Sequence, residues 1–214
     1  LLLGALLLFP AVPVLIVLLF ILIALSTKGH MLHLFAHGGS ASSSEGKLAN
    51  IAVAVPVIAV ALFSSYLIVQ ASRGEAVYQQ ALTLIGKQDG KGAYDTIRTA
   101  ITISPYNDRY HITYSQLNLA LANAIATKKT LSESDKTTVT QLVQQSIREA
   151  RSAVVLNQYR AGNWENLASI YRSVMPLAKG ADQFALQSYS QAVALDPVNP
   201  STRIALGGVY YGLK

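Results

Sequence analysis

The sequence predicts an all-α protein: two transmembrane helices followed by a solenoid of helical hairpins. Three observations lead to this prediction. Two long apolar runs stand at the start of the chain, where the first 70 residues carry only Lys28, Glu45 and Lys47 as charged side chains. From Glu75 onward, apolar residues recur at helical spacing without useful β-alternation. Within this second part, a short pattern of small, aromatic and proline residues occurs three times, which is typical of a repeat architecture.

Composition narrows the classes of function. The chain is 51% hydrophobic and 13% charged, about half of the roughly 25% charge usual in soluble domains. Its net charge is +6, but Lys and Arg are spread singly and Lys128-Lys129 is the only doublet. A nucleic-acid site needs clustered cations, so we expect no nucleic-acid partner. With no cysteine in the chain, disulfides and thiolate metal sites are excluded.

The two apolar runs predict membrane spans at residues 1–25 and 48–70. A helix crosses a bilayer with about 20 apolar residues. The first run exceeds the roughly 7–15 apolar residues of a signal peptide, although Pro10 and Pro13 would kink it. Tyr66 stands near the end of the second run, where an interfacial aromatic would anchor it; a buried core helix is the alternative there. The chain is thus predicted to be an integral membrane protein in contact with a lipid bilayer.

The predicted loop between the spans, residues 26–47, is rich in Gly and Ser. His30, His33 and His37 would share one face of a helix, and imidazoles so placed could bind a transition metal. However, Glu45 is the only nearby carboxylate, and glycine-rich flanks would not hold a ligand geometry. We therefore expect an interfacial amphipathic turn, with no metal and no cofactor.

Charge does not fix the orientation in the membrane. Lys28 and Lys47 in the loop are balanced by Arg73 and Lys87 after the second span. The part that follows is rich in Ser, Thr, Gln, Asn and Tyr, and this composition favours an extracytoplasmic location for it.

Seven helices are predicted after the second span, separated by short breaks of Gly, Pro, Asn and Asp. They cover approximately 75–86, 91–103, 108–126, 135–156, 161–178, 181–195 and 200–214.

The repeated pattern supplies the family resemblance. Three segments align, beginning at Ala100, Ala153 and Ala192. The first and third end in Pro105 and Pro197, and proline cannot continue a helix. Small residues suit the close approach of helices, and aromatic residues would fill the spaces between hairpins. The remaining pattern residues are Trp164, Leu167, Ala168 and Tyr171 on one helix, Ala185 and Tyr189 on the next, and Leu206, Gly207 and Tyr210 on the last.

This pattern resembles the tetratricopeptide repeat (TPR) family, over residues 71–214. The resemblance implies about three and a half helical hairpins. The segments lie 53 and 39 residues apart, longer than the family period of about 34, so we expect extra residues near 126–138 and 175–182. Since a repeat cannot bury its apolar face alone, the unpaired last helix leads us to expect a fragment that continues beyond Lys214.

The whole arrangement resembles, more narrowly, membrane-anchored TPR proteins of uncultivated small-genome bacteria. The residues that carry this narrower resemblance are 107–110, 115–122 and 163–168, together with the two predicted spans.

No enzyme motif is present. The glycines around Lys87 and Lys91 form turns without the Ser/Thr of a phosphate loop, and neither a metalloprotease nor a nucleophile-elbow motif occurs. His111 is expected to be a packing or surface residue. Asp108 and Glu165 open helices, where the helix dipole favours them. We therefore predict no catalytic residues and no enzyme activity.

The family resemblance implies a concave groove lined by the first helix of each hairpin. Some relatives use Lys and Asn there to clamp a carboxyl terminus, but that set is absent here. The groove suits a peptide segment or a helix; the alternative is that its residues only solvate the repeats. By register, the residues predicted to face the groove are Arg109, Ile112, Gln116, Glu165, Asn166, Ser169 and Arg172.

The predicted function is a membrane-tethered TPR scaffold that binds a protein or peptide partner near the bilayer. The alternative is the C-terminal part of a multi-span glycan polymerase, ligase or oligosaccharide transferase that carries a TPR tail.

Overall fold

The computed structural model describes residues 45–176 and 178–213. This part of the chain contains seven α-helices and no strand. The helices are α1 (Glu45–Gly86), α2 (Gly90–Ile103), α3 (Asp108–Ala126), α4 (Glu133–Leu156), α5 (Ala161–Val174), α6 (Ala181–Leu195) and α7 (Pro200–Gly212).

The chain divides into two compact units, Leu1–Arg73 and Gly74–Lys214. In the first unit, the described residues form the first part of α1, where large apolar side chains such as Leu62 and Phe63 are mostly exposed. The second unit holds the rest of α1 and helices α2 to α7. The predicted domain boundaries at 25, 47 and 70 stay predictions.

The predicted localisation requires correction. No helix among residues 45–176 and 178–213 is both long enough and apolar enough to cross a bilayer. This finding overturns the prediction of an integral membrane protein with an extracytoplasmic repeat domain. The sequence argument treats 48–70 as an isolated span, whereas these residues belong to a 42-residue helix, α1, which continues through Arg73 and Glu75. The first predicted span, 1–25, lies outside the described residues.

Helix boundaries follow local signals. The predicted and observed ends agree within two residues for α2, α3, α4 and α6. Helix α4 begins at Glu133 because Ser132 and Asp135 form a reciprocal capping box. The predicted helix 161–178 is too long: α5 ends at Val174, because Pro176 lacks an N–H and its ring clashes with the preceding turn.

The turns that join one hairpin to the next repeat the same backbone geometry. Each turn has four residues. The first residue donates its backbone N–H to the carbonyl four residues earlier, and the fourth residue donates its backbone N–H to the carbonyl of the first over 3.4 Å. The first residues, Ser104, Asn157 and Asp196, share φ values from −149° to −133° and ψ values from 76° to 84°. Three independent turns with one geometry identify the hairpin as the structural repeat.

Small, fully buried residues occupy corresponding places in the three hairpins. Each hairpin contributes three of them, each at most 1% exposed, at corresponding places. Larger side chains there would force the paired helices apart, because protein interiors are close-packed. These residues are Ala81, Ala93 and Ala100 in the first hairpin, Ser115, Ser146 and Ala153 in the second, and Ala168, Ala185 and Ala192 in the third.

Two apolar clusters form the core of the second unit. The first lies around Tyr78, Ile97 and Tyr110, and the rings of Tyr78 and Tyr110 stack with centroids 4.5 Å apart. Burial and the Glu75 carboxylate, which accepts a bond from the Tyr110 hydroxyl, raise the pKa of that phenol. The second cluster joins α4 to α7 and includes Tyr171, Tyr189 and Val209.

The extra residues of the second hairpin lengthen its helices. Helices α3 and α4 have 19 and 24 residues, against 14 and 15 in α5 and α6. The later surplus forms the connection around Gly180, whose φ of 83° suits glycine. Helices that follow each other from α2 to α7 pack together, and α3 also contacts α5.

Candidate functional site

A groove runs between α3 and α5, the first helices of the second and third hairpins. Its volume is about 440 Å³, within the range of roughly 300–1,000 Å³ typical of ligand sites. Its lining combines amide and hydroxyl groups with small and aliphatic residues. The lining residues are Ile112, Gln116, Leu119, Ala120, Asn123, Gly162, Glu165, Asn166, Ser169 and Ile170.

Hydrogen bonds fix the floor of the groove. The Gln116 side chain donates to Asn166 Oδ1 over 2.9 Å, and Asn166 Nδ2 donates to the Ser115 hydroxyl over 2.9 Å. Ser115 in turn donates to the Ile112 carbonyl over 2.7 Å, within α3. Both ends of the buried Asn166 amide are therefore held, which connects α3 to α5 and pre-organises the groove surface.

Two polar side chains of the groove have no hydrogen-bond partner in the described part of the chain. The Ser169 hydroxyl and the Asn123 amide belong to exposed residues and make no side-chain hydrogen bond there. They are therefore available to a ligand, next to the fixed Gln116–Asn166 pair.

Glu165 gives the groove its charge. It is the only charged residue in the lining. Thr202 of α7 donates a hydrogen bond to Glu165 Oε1 over 2.7 Å, and no cation lies within salt-bridge distance of Glu165 among the described residues. The groove thus presents one negative charge among neutral amides, and Thr202 of the neighbouring repeat holds that carboxylate in place.

Five of the seven predicted groove residues lie together in the lining: Ile112, Gln116, Glu165, Asn166 and Ser169. The two predicted arginines do not. The Arg109 guanidinium lies over the Tyr78 ring, 5.4 Å from its centroid. Arg172 is exposed and lies near α7, where a Cβ added to Gly208 would be 3.9 Å from its Nη2.

Sequence reasoning missed five lining residues, all of which follow from the helical period. Leu119, Ala120 and Asn123 stand three to seven residues after Gln116 on α3. Gly162 and Ile170 stand four residues on either side of Asn166 on α5. Extending the predicted face by two turns towards the end of α3 and by one turn in each direction on α5 would have found them.

The residues that carry the repeat pattern occupy different environments. Leu167, Ala168 and Tyr171 are buried, and half-buried Trp164 donates its indole N–H to the Gln158 carbonyl over 2.8 Å. On α7, Leu206 is half-buried, while Gly207 and Tyr210 are exposed. The buried residues of α7 are instead Thr202 and Val209. Pro105 and Pro197 lie exposed in the repeated turns.

His111 lies on α3 outside the groove lining. Its Nδ1 is 2.7 Å from Glu149 Oε2 and its Nε2 is 3.0 Å from the Pro105 carbonyl. Both neighbours are acceptors, so only the doubly protonated ring satisfies both. Burial lowers the pKa of His111, but the bonds to Glu149 and Pro105 and the charges of Glu149 and Asp108 outweigh it and raise the pKa above 6.5.

Residues 45–176 and 178–213 hold no group of three or more His, Asp or Glu side chains that could bind a metal ion. His30, His33 and His37 lie outside the described residues.

No family model matches the chain. No curated protein is similar to it in sequence.

Solved structures do match the chain. A thermophilic TPR protein from Thermus thermophilus is 20% identical, with a TM-score of 0.53, over 78% of this chain and 80% of that protein. The first TPR domain of Spaghetti (RPAP3), bound to an HSP90 peptide, is 12% identical with a TM-score of 0.52, over 67% and 94%. The Sgt2 TPR domain from Aspergillus fumigatus is 10% identical with a TM-score of 0.50, over 66% and 79%.

These similarities show a TPR-like fold, as the sequence predicts. At such low sequence identity, these similarities are evidence for the fold alone. The narrower resemblance to membrane-anchored proteins of small-genome bacteria is not shown by them.

Proposed function

We propose that the chain is a non-catalytic protein-interaction scaffold that binds a peptide segment in the groove between α3 and α5. The observation that carries this proposal is the groove itself, whose floor is fixed by Gln116, Asn166 and Ser115. Pre-organised polar groups bind a ligand without the entropic cost of ordering them. One of the matched TPR structures holds a peptide, which supports a peptide as the ligand class.

The charge of the groove indicates the kind of peptide. The peptide in that matched structure, SRMEEVD, carries three acidic side chains. Here the only charged lining residue is Glu165, and an acidic segment beside it would be repelled. We infer a segment with a Lys or Arg side chain opposite Glu165, whose backbone bonds to the amides of Gln116 and Asn123.

The same geometry argues for binding without catalysis. A serine nucleophile needs an adjacent base, and Ser169 makes no hydrogen bond to Glu165 in the described chain. His111, the one histidine among the described residues, has both ring nitrogens bonded elsewhere. The groove therefore offers recognition groups without an activated nucleophile.

Peptide arrays test this proposal with the full 214-residue chain. Twelve-residue peptides with a fixed central Lys, Ala or Glu in otherwise randomised sequence are probed, and the best are measured by fluorescence anisotropy. We expect Lys-centred peptides to bind best. Glu165→Gln should weaken them about tenfold, the size of a lost charge-assisted bond. Glu133→Gln, an exposed carboxylate on α4, is the matched control and should change affinity less than about twofold.

Two outcomes would contradict the proposal. One is that no peptide binds above background. The other is that peptides bind but Glu165→Gln behaves like Glu133→Gln, which would place the binding site elsewhere.

That the chain is the TPR tail of a glycan polymerase, ligase or transferase stays a prediction. Two further expectations, contact with lipid and the lack of a nucleic-acid partner, stay predictions as well. No observation on the described residues favours the enzyme alternative.

A further inference from the structure

A second cavity lies on the other side of the second hairpin, against α4. Its volume is about 640 Å³, and it is bounded by the turn at Pro105 and Tyr106 and by one face of α4. None of its lining residues belongs to the groove between α3 and α5. Its apolar lining includes Ile147, Val155 and Leu156.

Two large apolar side chains stand almost fully exposed at the rim. Tyr106 is 86% exposed and Val155 is 82% exposed. The other two turns also carry an exposed apolar side chain at the place of Tyr106, namely Tyr159 at 78% and Val198 at 87%. The apolar side chain that is particular to this cavity is therefore Val155 on α4. Exposed apolar side chains gathered around one cavity mark an interaction site.

The charge in this cavity is positive. Arg148 and Arg151 line it, and no acidic residue does. Neither arginine has a salt-bridge partner among the described residues. Glu149, between them in sequence, is engaged by His111 over 2.7 Å and does not neutralise them.

Arg151 is also held in place. Its Nε donates to the Tyr171 hydroxyl over 2.8 Å, and its guanidinium lies 5.8 Å from the ring centroids of both Tyr171 and Phe184. A guanidinium fixed by stacking presents its remaining N–H groups at little entropic cost, which suits recognition of a carboxylate.

We propose that this cavity is a second docking site, which takes a partner segment with large apolar side chains flanked by acidic residues. The apolar side chains occupy the space over Ile147 and Leu156, and the carboxylates bond to Arg148 and Arg151. This charge preference is the opposite of that of the groove, so the two sites take different segments.

Fluorescence anisotropy with the full 214-residue chain tests the proposal. The probe is a fluorescein-labelled peptide, Glu-Asp-Leu-Phe-Glu-Asp. Two control peptides replace the acidic residues with lysines or the Leu-Phe pair with alanines. We expect the probe to bind with a Kd below about 100 μM and both control peptides to bind at least about tenfold more weakly.

Variants locate the site. Arg148→Glu should weaken binding at least about tenfold, and Val155→Ser should weaken it about threefold through lost apolar contact. Arg98→Glu, at an exposed position on α2, is the matched charge reversal and should leave the Kd within about twofold. Val155→Ser changes an exposed residue, so it keeps the test informative if Arg148→Glu perturbs folding.

Three results would overturn this inference: no binding at about 1 mM peptide, equal effects of Arg148→Glu and Arg98→Glu, or tighter binding of decanoate than of the peptide. The last would assign the cavity to a small apolar acid. Glu165→Gln should leave the probe's affinity unchanged, so failure here and failure of the groove proposal are distinguishable.

Discussion

Replacing His111 with Gln should make the stability of the protein less dependent on pH. His111 is buried, with 11% of its side chain exposed, and 16% of the Glu149 side chain is exposed. Two acceptors, Glu149 Oε2 and the Pro105 carbonyl, face its two ring nitrogens at 2.7 and 3.0 Å. The folded protein therefore binds the second imidazole proton more tightly than the unfolded chain does.

The sign and size of the effect follow from this geometry. The pKa of His111 lies above 6.5 in the folded state, so its contribution is complete below pH 6.5 and is lost as the pH rises through the folded pKa. Each hydrogen bond to a charged group contributes about 1.5–3 kcal/mol. Gln keeps a neutral amide donor for one acceptor and loses the bond to the other, so it should cost at least about 1.5–3 kcal/mol at pH 5.5. Above pH 6.5, the stability difference between wild type and His111→Gln should shrink by at most about 1.4 kcal/mol per pH unit, which is the limit for the binding of one proton.

Urea unfolding followed by far-UV circular dichroism at pH 5.5, 6.5, 7.5 and 8.5 measures this difference. Glu149→Gln is the companion variant, because it removes the carboxylate that holds the proton and should also flatten the pH dependence. If the stability difference between wild type and His111→Gln is the same at all four pH values, the claim that the folded protein favours the doubly protonated His111 ring is refuted.

Three further substitutions test the repeat architecture, each by urea unfolding. Ala168→Leu inserts a side chain at a position with 0% exposure and should destabilise by at least about 1–3 kcal/mol, while Ala124→Leu at an exposed position of α3 should not. Asn163→Asp should lower the free energy of unfolding more than Asn163→Ala does, because Asn163 Nδ2 donates to oxygens of Asp108, Ala153 and Asn157 and a carboxylate would repel all three. Equal losses of stability in the two variants would contradict this. Gln187→Ala, at an exposed position, is the control. Ser132→Ala should cost about 1 kcal/mol by removing the capping box of α4, whereas the neighbouring Ser134→Ala should cost almost nothing.

Local signals in the sequence account for most of the helices. Pro105 and Pro197 interrupt the helical period, Asn107 and Asn199 cap the next helix, and the observed breaks fall there. The signal for the start of α4 was also present, since Ser132 and Asp135 have the spacing of a capping box. These features depend on residues a few positions apart, so the sequence alone determines them.

Long-range contacts explain what the sequence did not predict. The second predicted span ends at residue 70 and the next predicted helix begins at residue 75, yet α1 runs through this interval, which includes Gly74. Glycine is needed there for packing, because a Cβ would lie 2.5 Å from Ser104 Oγ at the end of α2. Likewise, register places Arg109 on the groove face, but its guanidinium is drawn to Tyr78, 31 residues earlier. His111 and Glu149 are 38 positions apart in the sequence and join α3 to α4. No local pattern reveals a contact over that separation.

Register accounts for part of the groove lining, and the assignment of its residues to partner binding stays a prediction. Helical spacing selects the residues of α3 and α5 that share a face, and five of them line the groove. The net charge of the groove could not be predicted from register. It depends on Arg109 and Arg172, which lie outside the groove lining, and on Glu165, which accepts a hydrogen bond from Thr202 in another repeat.

The most direct test of the account is a titration of the ¹⁵N-labelled full chain with the best Lys-centred peptide, followed by NMR. We predict that chemical-shift changes concentrate on Gln116, Asn123, Glu165 and Ser169, while Arg148 and Val155 stay unchanged. Changes concentrated on α4, or spread evenly over the helices, would contradict the claim that the groove between α3 and α5 is the binding surface.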